Sequence, residues 1–113
     1  MTQMTRYQGY SAIEFDRPLE GVLRLTLNKP ERMNALDSCG HAELANVWLE
    51  IDKDPGVGVV LLRGAGRAFS AGGDFTMLQE MTDDFNVRAR VWRVARDLVY
   101  NINNCSKPIV SAI

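Results

Sequence analysis

The chain has 113 residues, 24% of them charged, a formal net charge of −1 and a pI of about 5.8. Its basic residues are scattered among acids, so no electrostatic footprint for nucleic acid or an anionic membrane is present. No apolar stretch reaches the ~20 residues of a spanning helix, and the polar start Met1 to Gln8 lacks the apolar core of a secretory signal; the composition predicts a cytoplasmic protein.

Ser11 to Phe15 and Val22 to Asn28 read as two short strands joined by the turn-rich Asp16 to Gly21, a hairpin that opens the domain. Asp37 or Ser38 caps a first helix that ends before Pro55-Gly56. Ala42, Leu44, Ala45, Trp48, Leu49 and Ile51 give that helix one broad apolar face, which assigns its tryptophan to the core. Val57 to Leu62 is a nearly continuous aliphatic run, as in a strand covered on both faces, and Arg63 to Arg67 turns the chain after it. Val87, Val91, Val94, Ala95, Leu98, Ile102 and Cys105 recur at helical steps behind a cap at Asp83 or Asp84. Arg88, Arg90, Arg93, Arg96 and Asp97 fall mainly outside that stripe, on a solvated or subunit-facing side. Ile109 to Ile113 reads as a further buried strand.

Cys39 and Cys105 are too few and too far apart in sequence for a thiolate metal site or a disulfide framework, and His41 has no partner histidine. No metal is assigned.

Phe69-Ser70-Ala71-Gly72-Gly73-Asp74 carries the most chemical information. Small residues from Ser70 to Gly73 let a ligand approach the main chain, and a turn that feeds a helix points unpaired N–H groups outward. Such a turn can hold an oxyanion, or can simply reverse the chain. A P-loop requires Gly-Lys-Ser or Gly-Lys-Thr after its spacer, which is missing. The dinucleotide fingerprint fits Gly64 and Gly66 but finds Phe69 where its third glycine belongs.

A second block, Asn28-Lys29-Pro30-Glu31-Arg32-Met33-Asn34-Ala35-Leu36, lies between the second strand and the first helix. Together the two blocks resemble the enoyl-CoA hydratase/isomerase, or crotonase, superfamily, whose members carry an Asn-x-Pro…Asn-Ala-Leu loop followed by an Ala-Gly-x-Asp turn. The resemblance runs from about Ile13 to Ile113. It implies an α/β fold, the N-terminal part of a crotonase-like ββα spiral, with residues 1–113 as the N-terminal portion of the domain. In that family a second glycine loop, and the carboxylates for acid/base work, follow the strand that corresponds to Ile109–Ile113.

The activity so implied is the processing of an acyl-CoA thioester, with enoyl-CoA hydration as the first choice. Isomerisation, dehalogenation, decarboxylation, thioester hydrolysis and a non-catalytic CoA-binding module are the alternatives. The resemblance makes Gly73 N–H one of two donors to the thioester oxygen. It lays Ala35 and Leu36 along the pantetheine arm, Ala71 near the adenine, and Gly72 and Leu78 in the substrate site. Arg67 and Arg32 are directed at the phosphates, although the pattern's basic residue one position before Arg32 is Glu31 here. Asp74 is read as a helix cap, since a negative charge beside a developing enolate opposes catalysis. Coenzyme A enters as part of the substrate, no separate cofactor is implied, and family members are usually homotrimers or hexamers. The 113-residue chain alone is expected to be inactive.

Overall fold

A computed structural model describes residues 6–113. Met1 to Thr5, part of the polar start discussed above, lie outside the described residues. Four strands form one sheet in the order β1-β2-β3-β4: β1 Ile13–Leu19, β2 Val22–Leu27, β3 Val59–Gly64 and β4 Ile109–Ala112. The β1 and β2 pair is antiparallel, whereas β2 with β3 and β3 with β4 are parallel. Helix α1 (Ser38–Asp52) connects β2 to β3; α2 (Phe75–Asp83) and α3 (Phe85–Asn104) connect β3 to β4.

Alternation along the strands decides the layers. Leu23, Leu25 and Leu27 of β2 and Val60 and Leu62 of β3 are buried on one face, against Leu44, Val47, Trp48 and Ile51 of α1. Helix α3 lies outside α1, and Asn101 Nδ2 donates to Ala45 O at 2.8 Å. The opposite sheet face carries polar cross-strand pairs instead: Arg24 Nε reaches Asp16 Oδ1 at 2.9 Å and Arg63 Nε reaches Thr26 Oγ1 at 3.0 Å. Thus β3 is not covered on both faces as its aliphatic run suggests; Leu61 and Arg63 sit on the polar side.

Several boundaries move. Strand β1 continues to Leu19 through the segment read as a turn, and the reversal is confined to Glu20-Gly21. Pro18 is tolerated there because β1 is an edge strand, and the register slips between Asp16 and Leu19 as in a bulge. Strand β3 starts two residues later than expected, because Val57 N–H closes a turn on Asp54 O and Gly58 N–H is held by Gly21 O. In α1 the cap is Asp37, which accepts from Gly40 N at 2.8 Å; Val47 joins the buried face, while Leu49 is turned outward. Asp84 caps α3, of which Val91 is the one buried residue, and Ala95 is exposed. Strand β4 is an exposed edge and not a buried strand, because among the described residues only β3 pairs with it. Cys39 and Cys105 are both free.

A carboxylate anchors the end distant from the glycine turn. Asp54, buried after α1, accepts from Tyr7 Oη at 2.7 Å, Arg17 Nη2 at 3.1 Å and Gly56 N at 2.9 Å. Burial opposes its ionisation, but these donors hold the carboxyl below its ordinary value. Burial, and then the bond to Asp54, push the Tyr7 hydroxyl above its ordinary value, so it remains a donor.

Candidate functional site

The two sequence blocks meet through Asn34. Its backbone is left-handed, with φ of 58°, and its amide is fully enclosed. Asn34 Oδ1 accepts from Lys29 N at 2.8 Å, closing its own loop, while Nδ2 donates to Ala65 O at 2.9 Å and Ala68 O at 2.8 Å, closing the turn after β3. Gly64 is required at this convergence: a Cβ there would collide with Ala68 O and Phe69 O and stand 2.6 Å from Asn34 Nδ2. Asparagine tolerates the left-handed region and supplies both donors and an acceptor, which few residues combine. Ser70 completes the stitch, donating through Oγ to Asn34 O at 2.9 Å and accepting from Gly72 N at 3.1 Å.

With the loops clamped, Leu36 and Gly73 form a parallel bridge. Leu36 N donates to Gly72 O at 2.8 Å, and Asp74 N donates to Leu36 O at 2.9 Å. In an extended segment successive peptide groups face opposite sides, so a residue gripped by its two neighbours points its own N–H away from the bridge. Ala71 N is used by Met33 O, Gly72 N by Ser70 Oγ and Asp74 N by Leu36 O. From Ala71 to Asp74, Gly73 alone has an N–H with no acceptor among the described residues. Gly72, at φ of 97°, makes the turn possible.

This N–H borders an open cleft of about 590 Å3 whose lining includes Arg32, Ala35, Ala71, Gly73, Asp74 and Leu78. Glu31, Met33, Phe75 and Thr76 complete it. Five of the sequence-predicted residues therefore share one cleft. Leu36 does not line it, and its backbone N–H and C=O are engaged in the bridge that flanks Gly73. Gly72 likewise has both polar groups engaged, its N–H by Ser70 within the turn and its C=O by Leu36 across the bridge. Arg67 is exposed on the turn beyond β3, where neighbouring Gly66 packs toward Pro30, and it has no ion pair among the described residues.

Asp74 is the cap of α2, accepting from Met77 N at 3.2 Å. It also receives Arg32 Nη1 at 2.9 Å, an ion pair across 42 residues of sequence. The Met77 N–H contributes most to holding this carboxyl below its ordinary value; burial opposes, and Thr76 N–H and Arg32 add to the lowering. The resemblance directs Arg32 at phosphate, whereas its guanidinium here rests on Asp74. Met77 is buried behind Gly73, while Phe75 and Leu78 are exposed on the cleft side. The motif alone gives Asn34 no role; its signal in the sequence is a single amide inside a tight, proline-led loop.

The enoyl-CoA hydratase/isomerase family profile matches residues 17–113. The chain belongs to this family. It is 33% identical over 96 residues to 1,2-epoxyphenylacetyl-CoA isomerase from Escherichia coli K12, covering 83% of this chain and 37% of that protein. It is 36% identical over 91 residues to a probable 3-hydroxyisobutyryl-CoA hydrolase of Arabidopsis thaliana, covering 79% of this chain and 24% of that protein. Among solved structures, an enoyl-CoA hydratase/isomerase from Mycobacterium paratuberculosis superposes with a TM-score of 0.86 at 36% identity, covering 94% of this chain and 42% of that one. The α/β architecture is thus that of the crotonase fold, and the chain spans well under half the length of these relatives.

Among the described residues no group of three or more histidine, cysteine or acidic side chains is placed to hold a metal, and no helix is long and apolar enough to cross a membrane.

Proposed function

We propose that these residues form the thioester-binding half of a cytoplasmic acyl-CoA enzyme, with hydration of a 2-enoyl-CoA as its reaction. The observation that carries this reading is the Gly73 N–H, unpaired in an open cleft while both its neighbours are locked. A donor fixed before substrate arrives stabilises developing enolate charge without reorganising in the transition state. Ala35 would follow the pantetheine arm with Leu36 bracing the turn behind it, Ala71 would lie near the adenine, Arg67 at the phosphates, and Leu78 with Phe75 along the acyl group. A guanidinium suits phosphate oxygens through paired hydrogen bonds.

Hydration also requires carboxyl groups that position water, take its proton and deliver one to the α-carbon. Asp74 is committed to its cap and to Arg32, and we propose that carboxylates of a longer polypeptide, assembled as a trimer or hexamer, do this work. The names of the relatives span isomerisation and hydrolysis as well as hydration, so the reaction is the finer part of this proposal.

The test is a pair of substitutions in the intact protein that carries these residues. Gly73→Pro removes the N–H and should lower turnover of crotonyl-CoA by roughly 10²–10³. Gly73→Ala keeps it: φ lies outside the left-handed region, and the new Cβ would meet the flexible end of Met77 at 3.2 Å. Its turnover should stay within about tenfold of the parent, a loss well below that of a missing donor. Coenzyme A affinity and thermal midpoint are measured alongside. Unchanged hydration in Gly73→Pro removes Gly73 as the donor. Activity confined to a 3-enoyl-CoA or to thioester hydrolysis keeps the donor but replaces the reaction.

A further inference from the structure

The ion pair between Arg32 and Asp74 joins the proposed substrate loop to the residue directly after the oxyanion donor. Asp74 is needed where it stands, because its carboxylate caps α2 through Met77 N. That need carries an electrostatic cost for the proposed chemistry: a fixed negative charge sits one residue from the N–H at which negative charge is to gather. Arg32 Nη1 lies 2.9 Å from Asp74 Oδ2, and no other cation pairs with Asp74 among the described residues. Both residues line the cleft.

We propose that Arg32 is a positioning residue which acts through Asp74, neutralising the cap's charge and bracing the turn so that Gly73 N–H can donate to a developing enolate oxygen. This inference rests on the reading of Gly73 as the donor. It differs from a phosphate contact in what it predicts. An arginine bound to phosphate contributes only when the nucleotide is present, whereas one that neutralises Asp74 contributes to the reacting step of any thioester.

The experiment compares Arg32→Ala, Arg32→Lys, Asp74→Asn and the double variant Arg32→Ala/Asp74→Asn in the intact protein. Substrates are crotonyl-CoA and the matching N-acetylcysteamine thioester, which lacks the phosphates. Arg32→Ala should lower kcat on the order of tenfold on both substrates, the scale of one uncompensated charge near the reacting atoms. Arg32→Lys should retain most of the rate. Asparagine still caps a helix but carries no charge. The double variant should therefore recover rate relative to Arg32→Ala, a suppression that a purely structural contact would not give.

A loss seen in KM for crotonyl-CoA alone assigns Arg32 to phosphate and overturns the proposal. So does a double variant as slow as, or slower than, Arg32→Ala, or an Arg32→Ala enzyme with parental kcat. If Arg32→Ala does not fold, Asp74→Asn against the double variant decides: removing Arg32 should then change kcat less than twofold, because no charge remains to neutralise. A larger change also overturns it. The Gly73 substitutions keep the two readings apart: a collapsed Gly73→Pro with an unaffected Arg32→Ala removes this inference and leaves the donor in place.

Discussion

Asn34 holds the site together through three hydrogen bonds made by one buried side chain, and the chemistry of its amide makes the arrangement testable. Asn34→Asp preserves shape but puts a carboxylate oxygen where Nδ2 donates to Ala65 O and Ala68 O. Two buried acceptors lose their partner at about 1–3 kcal/mol each, so the intact protein should lose about 2–6 kcal/mol of unfolding free energy at neutral pH. Urea denaturation measures this; a change below about 0.5 kcal/mol would remove Asn34 from its place as the clamp. The residue types of the site were legible in the sequence because small residues and a proline-led loop announce close backbone approach. What was not legible was the use of each N–H. That Gly73 is free while Ala71, Gly72 and Asp74 are occupied depends on acceptors contributed by Met33, Ser70 and Leu36, the first and last of them in the other block.

At the level of elements, periodicity located α1, the inner stripe of α3 and β2, because one-sided burial writes itself into spacing. It failed where partners are remote. Pro18 reads as a turn residue until β2 is known to pair beside it on an outer edge. The aliphatic run of β3 reads as doubly buried until Arg24, Thr26 and Arg63 are seen to share the other face. Asp54 gave no signal at all, since Tyr7 and Arg17 lie 47 and 37 residues away. Its carboxyl is held below the ordinary value of 3.8, so its contribution to stability is complete above that value and is lost as pH falls through the lower folded-state value. Stability should therefore decline as pH drops below about 4, and Asp54→Asn should flatten that decline. At neutral pH the same substitution leaves Arg17 without its buried partner and should cost about 3 kcal/mol. Chemical denaturation between pH 2 and pH 7 checks both. A variant with the parental slope would show that other carboxylates dominate the acid response.

Across the whole molecule, order runs from a buried interior between the sheet and α1 to an outer layer that is apolar yet uncovered. Trp92, Val99 and Tyr100 of α3 are exposed by 66%, 58% and 65%, and Phe85 at its start by 69%. Strand β4 presents Val110, 53% exposed, and an edge that no other strand pairs among the described residues. Unpaired edges template further strand pairing, and contiguous exposed apolar side chains mark surfaces that associate. The buried core lies on the inner sheet face alone, which leaves the outer face of α3 and the β4 edge without cover among the described residues. The 113-residue polypeptide expressed by itself should accordingly sediment as a species heavier than its 12.6 kDa, or as a distribution of them. Its thermal transition should be broad, because association and partial unfolding compete. Replacing Trp92 and Val99 by polar residues should shift the distribution toward monomer without disturbing Leu44, Val47 or Trp48 beneath, since α3 faces the core through Val91 and Leu98. Sedimentation velocity with calorimetry tests this: a monodisperse monomer with one sharp, reversible transition would show that the sheet and α1 suffice, and that the outer face of α3 does not drive assembly.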